Sequence, residues 1–138
     1  MPFQAGLQTR GPNILLTTVP GEGHGLGLLM AEVLLTLQAC RCVSLGLQTP
    51  LPDIVAAAQA QRVEVVALSF SESLPAAHAL EALVDLRRQL PADVVIWAGG
   101  ASACLHGLQV AGVRVIAALG DIDGAVADWR QELISSTD

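Results

Sequence analysis

A short apolar, β-rich run followed by a loop and a helically spaced segment recurs along this chain, and that alternation limits the fold more than any other feature. The runs are residues 13–18 (NILLTT), 41–46 (RCVSLG), 64–70 (EVVALSF), 93–98 (DVVIWA) and 113–118 (VRVIAA). The third is almost continuously apolar, as a parallel strand is when helices cover both its faces. Leu26, Met30, Val33, Leu34 and Leu37 recur at helical spacing and predict a first helix over residues 26–39. Pro50 and Pro52 mark a turn, and Pro52 suits the first turn of a second helix running to Gln61. A third helix spans residues 75–90 and stops at Pro91, a short fourth spans 102–111, and a last one spans 121–135. Five β/α units in series predict an α/β fold, a doubly wound parallel sheet of order 2-1-3-4-5 between two helical layers. Residues 1–12 read as a linker or tail, and residues 13–135 as the folded domain.

Composition supports one such core. Of 138 residues, 52% are hydrophobic and 14% charged, enough apolar material to cover both faces of a sheet and too much for a disordered chain. No apolar run approaches the roughly 18 residues that a membrane span needs. Residues 1–12 lack a basic stretch followed by an apolar one, so no secretory signal is read there and the expected location is cytoplasmic. A net charge of −6 argues against direct contact with a nucleic-acid backbone. Cys40, Cys42 and Cys104 form no paired metal-ligand spacing and are odd in number, so they are expected to be buried free thiols.

In a doubly wound sheet, ligands bind outside the carboxyl ends of the strands, where the strand order reverses. The glycine-rich and polar punctuation of this chain falls at those ends: Pro20-Gly-Glu-Gly-His-Gly-Leu-Gly27 after the first strand, Ser69-Phe-Ser-Glu-Ser73 after the third, and Gly99-Gly100 after the fourth. The first loop is neither a dinucleotide fingerprint, because it lacks the GxGxxG spacing, nor a phosphate loop, because no Gly-Lys-Ser/Thr occurs. Its distinctive element is Glu22-x-His24-x-x-Gly27. Two residues apart in an extended loop, the two side chains can point to the same side. A neutral imidazole can then offer one nitrogen to a metal while its other N–H donates to the carboxylate, which fixes the tautomer and raises the ligand's basicity. One histidine cannot hold a bare ion, so the metal would arrive with its other ligands attached, as in a corrin.

These motifs resemble the cobalamin-binding domain family of flavodoxin-like fold, whose pattern is Asp-x-His-x-x-Gly, then Ser-x-Leu after the third strand, then Gly-Gly after the fourth. The resemblance runs from Asn13 to Trp129. It implies that His24 is the protein residue that ligates cobalt, from below, with Glu22, Gly23, Gly25, Leu26 and Gly27 forming the loop around it. It further implies that cobalamin binds base-off and that its nucleotide tail enters a slot beside the sheet. Ser69 and Ser71 would line that slot, Ser73 less centrally, and Gly99 and Gly100 would leave room for the benzimidazole. Glu22 replaces the Asp of the mutases, and Ser71 stands where Leu is often found.

Both departures resemble the domains attached to MerR-like transcriptional regulators, as do the stretches VPGEGHGLGLLM, SLGLQTPLPDIVAAAQ and VALSFS. That subgroup implies a sensory or regulatory module, not an enzyme, using adenosylcobalamin or methylcobalamin. Its partners would be an N-terminal helix-turn-helix and a helical cap, neither present in this chain, and self-association is a further expectation. The alternatives are a corrinoid carrier for a methyltransferase or mutase, and a flavodoxin-like interaction domain that binds no corrin. No nucleophile or acid–base pair stands out beyond Glu22 and His24. His78 and His106 read as surface residues, Trp97 and Trp129 as packing residues, and Glu72, Glu81, Asp85, Arg87 and Arg88 as solvated helix faces.

Overall fold

A computed structural model describes residues 10–136. The elements are β1 (Asn13–Thr17), α1 (Leu26–Leu37), β2 (Arg41–Gly46), α2 (Leu51–Ala60), β3 (Val65–Ser69), α3 (Ala76–Gln89), β4 (Val95–Gly99), β5 (Val113–Ile116) and α4 (Ile122–Ser136). The strands form one sheet in the order β2-β1-β3-β4-β5, and every neighbouring pair is parallel. The fold is the doubly wound α/β sheet that the alternation of the sequence predicts.

Each face of the sheet has its own core. Leu15, Val66, Leu68, Ile96 and Ala98 pack beneath Ile54 and Ala58 of α2 and Ala79, Leu83 and Leu86 of α3. Ile14, Leu16, Val65, Ala67, Trp97 and Ile116 face the other way, under Leu28 and Leu35 of α1 and Ile122, Ala125 and Val126 of α4. Successive strand residues therefore alternate between two dry layers. That explains why the central strands β1, β3 and β4 read as nearly unbroken apolar runs and not as alternating ones.

Helix α1 is apolar around most of its circumference. Of the set that predicts it, Leu26, Met30, Val33 and Leu37 form its solvent-facing stripe and Leu34 is half-buried against the core, while Leu28 and Leu35 are the buried residues. The spacing identifies the helix, but on so apolar a segment it does not identify the buried face.

The helix expected over residues 102–111 is not formed; only a single 3₁₀ turn, Ala103–Leu105, occurs there. Ser102 Oγ accepts the Cys104 N–H at 3.2 Å and starts the turn. Gly107, at φ +69°, takes the chain out of helical conformation two residues after the turn ends.

The reading of residues 1–12 as a linker or tail falls mostly on residues 1–9, which lie outside the described residues. Residues 10–12 pack on the domain. The Arg10 N–H donates to the Ala39 carbonyl, the Gly11 carbonyl accepts from Arg130 Nε, and Pro12 is buried. All three cysteines are free, but only Cys40 is fully buried; Cys42 and Cys104 are half-buried. No helix among the described residues is long and apolar enough to cross a membrane.

Candidate functional site

Because β1 pairs with β2 on one side and β3 on the other, the connections leaving β1 and β3 diverge and open a crevice at their carboxyl ends. Three of the sequence motifs meet there. The β1–α1 loop is anchored from within: Thr18, buried, donates its O–H to the Glu22 carbonyl at 2.7 Å and accepts the Gln48 N–H at 2.8 Å. That anchor turns the Glu22 side chain inward, where it is fully buried.

A buried carboxylate needs donors, and Glu22 has three. The Ser71 N–H donates to Oε1 at 2.6 Å, the Ser71 O–H to Oε2 at 2.7 Å, and the His24 N–H to Oε2 at 3.2 Å. Burial pushes the carboxyl up, but the three hydrogen bonds and the neighbouring imidazole outweigh it, so Glu22 titrates below its ordinary value. His24 stands over this carboxylate with its side chain 67% exposed. Its Nδ1 lies 3.5 Å from both Glu22 Oε2 and Ser71 Oγ. Nδ1 thus faces the buried acceptor, and Nε2 has no partner among the described residues. An Nδ1–H directed at Glu22 leaves the Nε2 lone pair available to a metal.

Beside this loop lies a cavity of about 360 Å³ between α1, α4 and the carboxyl ends of β3, β4 and β5. Gly27, Leu28, Ala31 and Leu35 form its α1 wall, and Ser69, Ala67, Trp97 and Gly99 its sheet side. Ile116, Leu119 and Ile122 close it. A Cβ built on Gly27 would stand 3.5 Å from Ser69 Oγ, and one on Gly99 would stand 3.2 Å from the Ile116 carbonyl, so side chains at either position would narrow the slot. Gly100 answers to a different demand: its φ is +114°, and a Cβ there would lie 2.1 Å from the Phe70 carbonyl oxygen. It permits the β4 loop to cross the Phe70 backbone and so fixes the rim.

The structure separates residues that the sequence groups together. Ser69, Gly99, Gly100 and Gly27 line the cavity, but Ser71 does not; it holds Glu22 and faces His24. Ser73 is exposed and donates its N–H to Ser71 Oγ. Gly23, Gly25 and Leu26 lie on the exposed side of the loop, where Gly25 packs against Leu47. Sequence reasoning missed Thr18 as an anchor and Trp97 as a wall of the cavity. A second threonine at the end of the first strand run was the only available signal for Thr18. His78 and His106 are exposed, as expected. Among the described residues, no cluster of His, Cys, Asp and Glu could hold a bare metal ion. One backed imidazole, a narrow apolar slot and glycines along it fit a metal carried in a macrocycle with a tail.

Fold and site together define a cofactor-binding module of the doubly wound α/β class, with its ligand crevice at the strand-order reversal. The match to the B12 binding domain family covers residues 12–127, and the chain belongs to that family. It is therefore a cobalamin-binding domain. It is similar to the HTH-type transcriptional repressor CarH of Myxococcus xanthus, at 36% identity over 92 residues, which is 67% of this chain and 31% of that protein. The chain thus spans about a third of that relative's length. Two solved structures share the fold. The methanol:cobalamin methyltransferase complex MtaBC of Methanosarcina barkeri matches with a TM-score of 0.71 at 16% identity, covering 95% of this chain and 55% of that one. The monomethylamine corrinoid protein of Methanosarcina barkeri matches with a TM-score of 0.63 at 20% identity, covering 83% and 57%.

Proposed function

We propose that this domain binds cobalamin base-off, with His24 Nε2 as the lower axial ligand and the nucleotide tail in the slot beside Gly27, Ser69 and Gly99. It serves as the sensory or regulatory module of a MerR-like regulator. The observation that carries the reading is the His24 imidazole itself. Nδ1 is turned toward a buried, ionised Glu22, Nε2 has no partner among the described residues, and an apolar slot of about 360 Å³ begins three residues further on, in the first turn of α1. Bound cobalamin would supply the cobalt and its chemistry. Glu22 and Ser71 hold the imidazole tautomer, and the slot takes up the base that the imidazole displaces.

The regulatory role is supported by the 36% identity to a transcriptional repressor. The alternative, a corrinoid carrier, has support at the level of the fold alone. A helix-turn-helix encoded in the same reading frame favours the first, and a separately encoded catalytic partner favours the second.

The domain is to be titrated with adenosylcobalamin and hydroxocobalamin while absorption spectra are recorded. A stoichiometric complex with a base-off, histidine-ligated spectrum is expected, and His24→Ala should change the lower-ligand bands while the tail retains part of the affinity. An unchanged spectrum in that variant rules out axial ligation by His24.

A further inference from the structure

We infer that the slot selects among cobamides by the base at the end of the nucleotide tail, that its apolar lining favours a benzimidazole over a purine, and that the bulk of Trp97 sets how large a base it admits. The inference rests on the reading that the tail enters this slot.

Strand register orders the slot in layers. Ser69 pairs with Gly99 in the outer layer, and Ala67 pairs with Trp97 two residues deeper on the same face. The inner layer is thus a small residue beside the largest one. Ala67 opens space over β3, and the buried indole closes the slot toward β5.

The same indole lines a second cavity of about 180 Å³ under Trp129 and Arg114 at the β5 edge. Trp97 is therefore the partition between two cavities, and its bulk fixes how far a base can penetrate.

Chemistry follows from the same lining. Among the described residues that line the slot, only Ser69 and Trp97 have side chains that carry a polar atom. Ser69 belongs to the outer layer. The indole N–H, which has no protein acceptor among the described residues, is a donor only and cannot accept a hydrogen bond from an amine. A benzimidazole has no exocyclic polar group to satisfy. The indole N–H can serve a ring nitrogen of either base, but the exocyclic amine of adenine would find no side-chain acceptor in the inner layer of the slot. Leaving such a group unpaired weakens binding by roughly ten- to a hundredfold.

The test is a binding titration of the whole chain with three probes: cobalamin, the adeninyl cobamide, and cobinamide, which lacks the nucleotide. Wild type should bind cobalamin at least about tenfold more tightly than the adeninyl form. Trp97→Phe keeps an aromatic ring but removes the N–H and part of the bulk. It should weaken the binding of both nucleotide-bearing forms several-fold, preserve the order between them, and leave cobinamide affinity unchanged. Trp97→Leu, which joins the two cavities, should admit a naphthimidazolyl cobamide that wild type excludes.

Equal affinity of wild type for the cobalamin and adeninyl forms overturns the selection. A cobinamide loss in Trp97→Phe equal to its cobalamin loss makes the effect structural and overturns the role of Trp97. If all cobamides bind base-off with equal affinity, only this inference fails. If none binds base-off, the underlying functional reading fails with it.

Discussion

Glu22→Gln isolates the group on which the site is built. The carboxylate is fully buried and accepts three hydrogen bonds, from the Ser71 N–H, the Ser71 O–H and the His24 N–H. Glutamine keeps an acceptor for the Ser71 N–H but turns an NH₂ toward the other two donors. Hydrogen bonds to a charged group contribute about 1.5–3 kcal/mol each, and the Ser71 hydroxyl can rotate away, so the expected loss is about 2–4 kcal/mol. For a domain of this size that lowers Tm by roughly 6–15 °C. The pH dependence carries a sign. The folded-state pKa of Glu22 lies below its ordinary value, so its contribution is complete above the unfolded value and disappears as pH falls through the folded one. Glutamine takes up no proton there. Urea unfolding followed by circular dichroism from pH 7 downward should therefore show a gap between wild type and variant that narrows in acid. Equal midpoints at neutral pH, or a gap that does not change with pH, would refute the claim that Glu22 is held as a carboxylate.

Gly100→Ala places a Cβ 2.1 Å from the Phe70 carbonyl at a φ of +114°, and should cost at least about 3 kcal/mol in urea unfolding; an unfolding midpoint near wild type would show that the rim shifts freely. Burial pushes the Cys40 thiol up to about 11, against the opposing Arg130 charge. In a pH 8 labelling series read by peptide mass spectrometry, Cys40 should therefore remain unlabelled until the domain unfolds, and modification of Cys40 in the native state would contradict its burial.

The order of the sheet was legible because the central strands are apolar on both faces and three of the four crossovers are helices. Residues 64–70 and 93–98 could scarcely be read otherwise. The rim was legible for the same reason: a strand-order reversal between β1 and β3 leaves one place for a ligand, and the glycines and polar residues fall there. What the sequence could not resolve were contacts made across the crevice. Ser71 and Ser69 stand two residues apart, yet one holds a carboxylate on the β1 loop while the other lines the cavity. That difference arises where β3 ends and the chain turns back toward β1. The segment after Gly100 misled for a local reason, since its apolar spacing is helical but Ser102 and Gly107 confine it to a single turn. Trp97 read correctly as a packing residue, but a core tryptophan and a cavity wall look alike in sequence.

The two departures from the family pattern, Glu22 for Asp and Ser71 for Leu, form a single physical unit. A glutamate is longer than an aspartate by one methylene, and here that length carries the carboxylate across the crevice to both the N–H and the O–H of Ser71. A leucine at position 71 would supply the N–H alone and leave Glu22 Oε2 with the His24 N–H as its one donor. Each substitution made singly, Glu22→Asp or Ser71→Leu, should therefore disrupt the pair. The double variant should be less destabilised than the sum of the two by about 1–3 kcal/mol, the usual coupling of residues in one hydrogen-bond network. Urea unfolding of the four proteins closes the cycle. If the single effects add to within about 0.5 kcal/mol, Glu22 and Ser71 act independently, and the departures are unrelated.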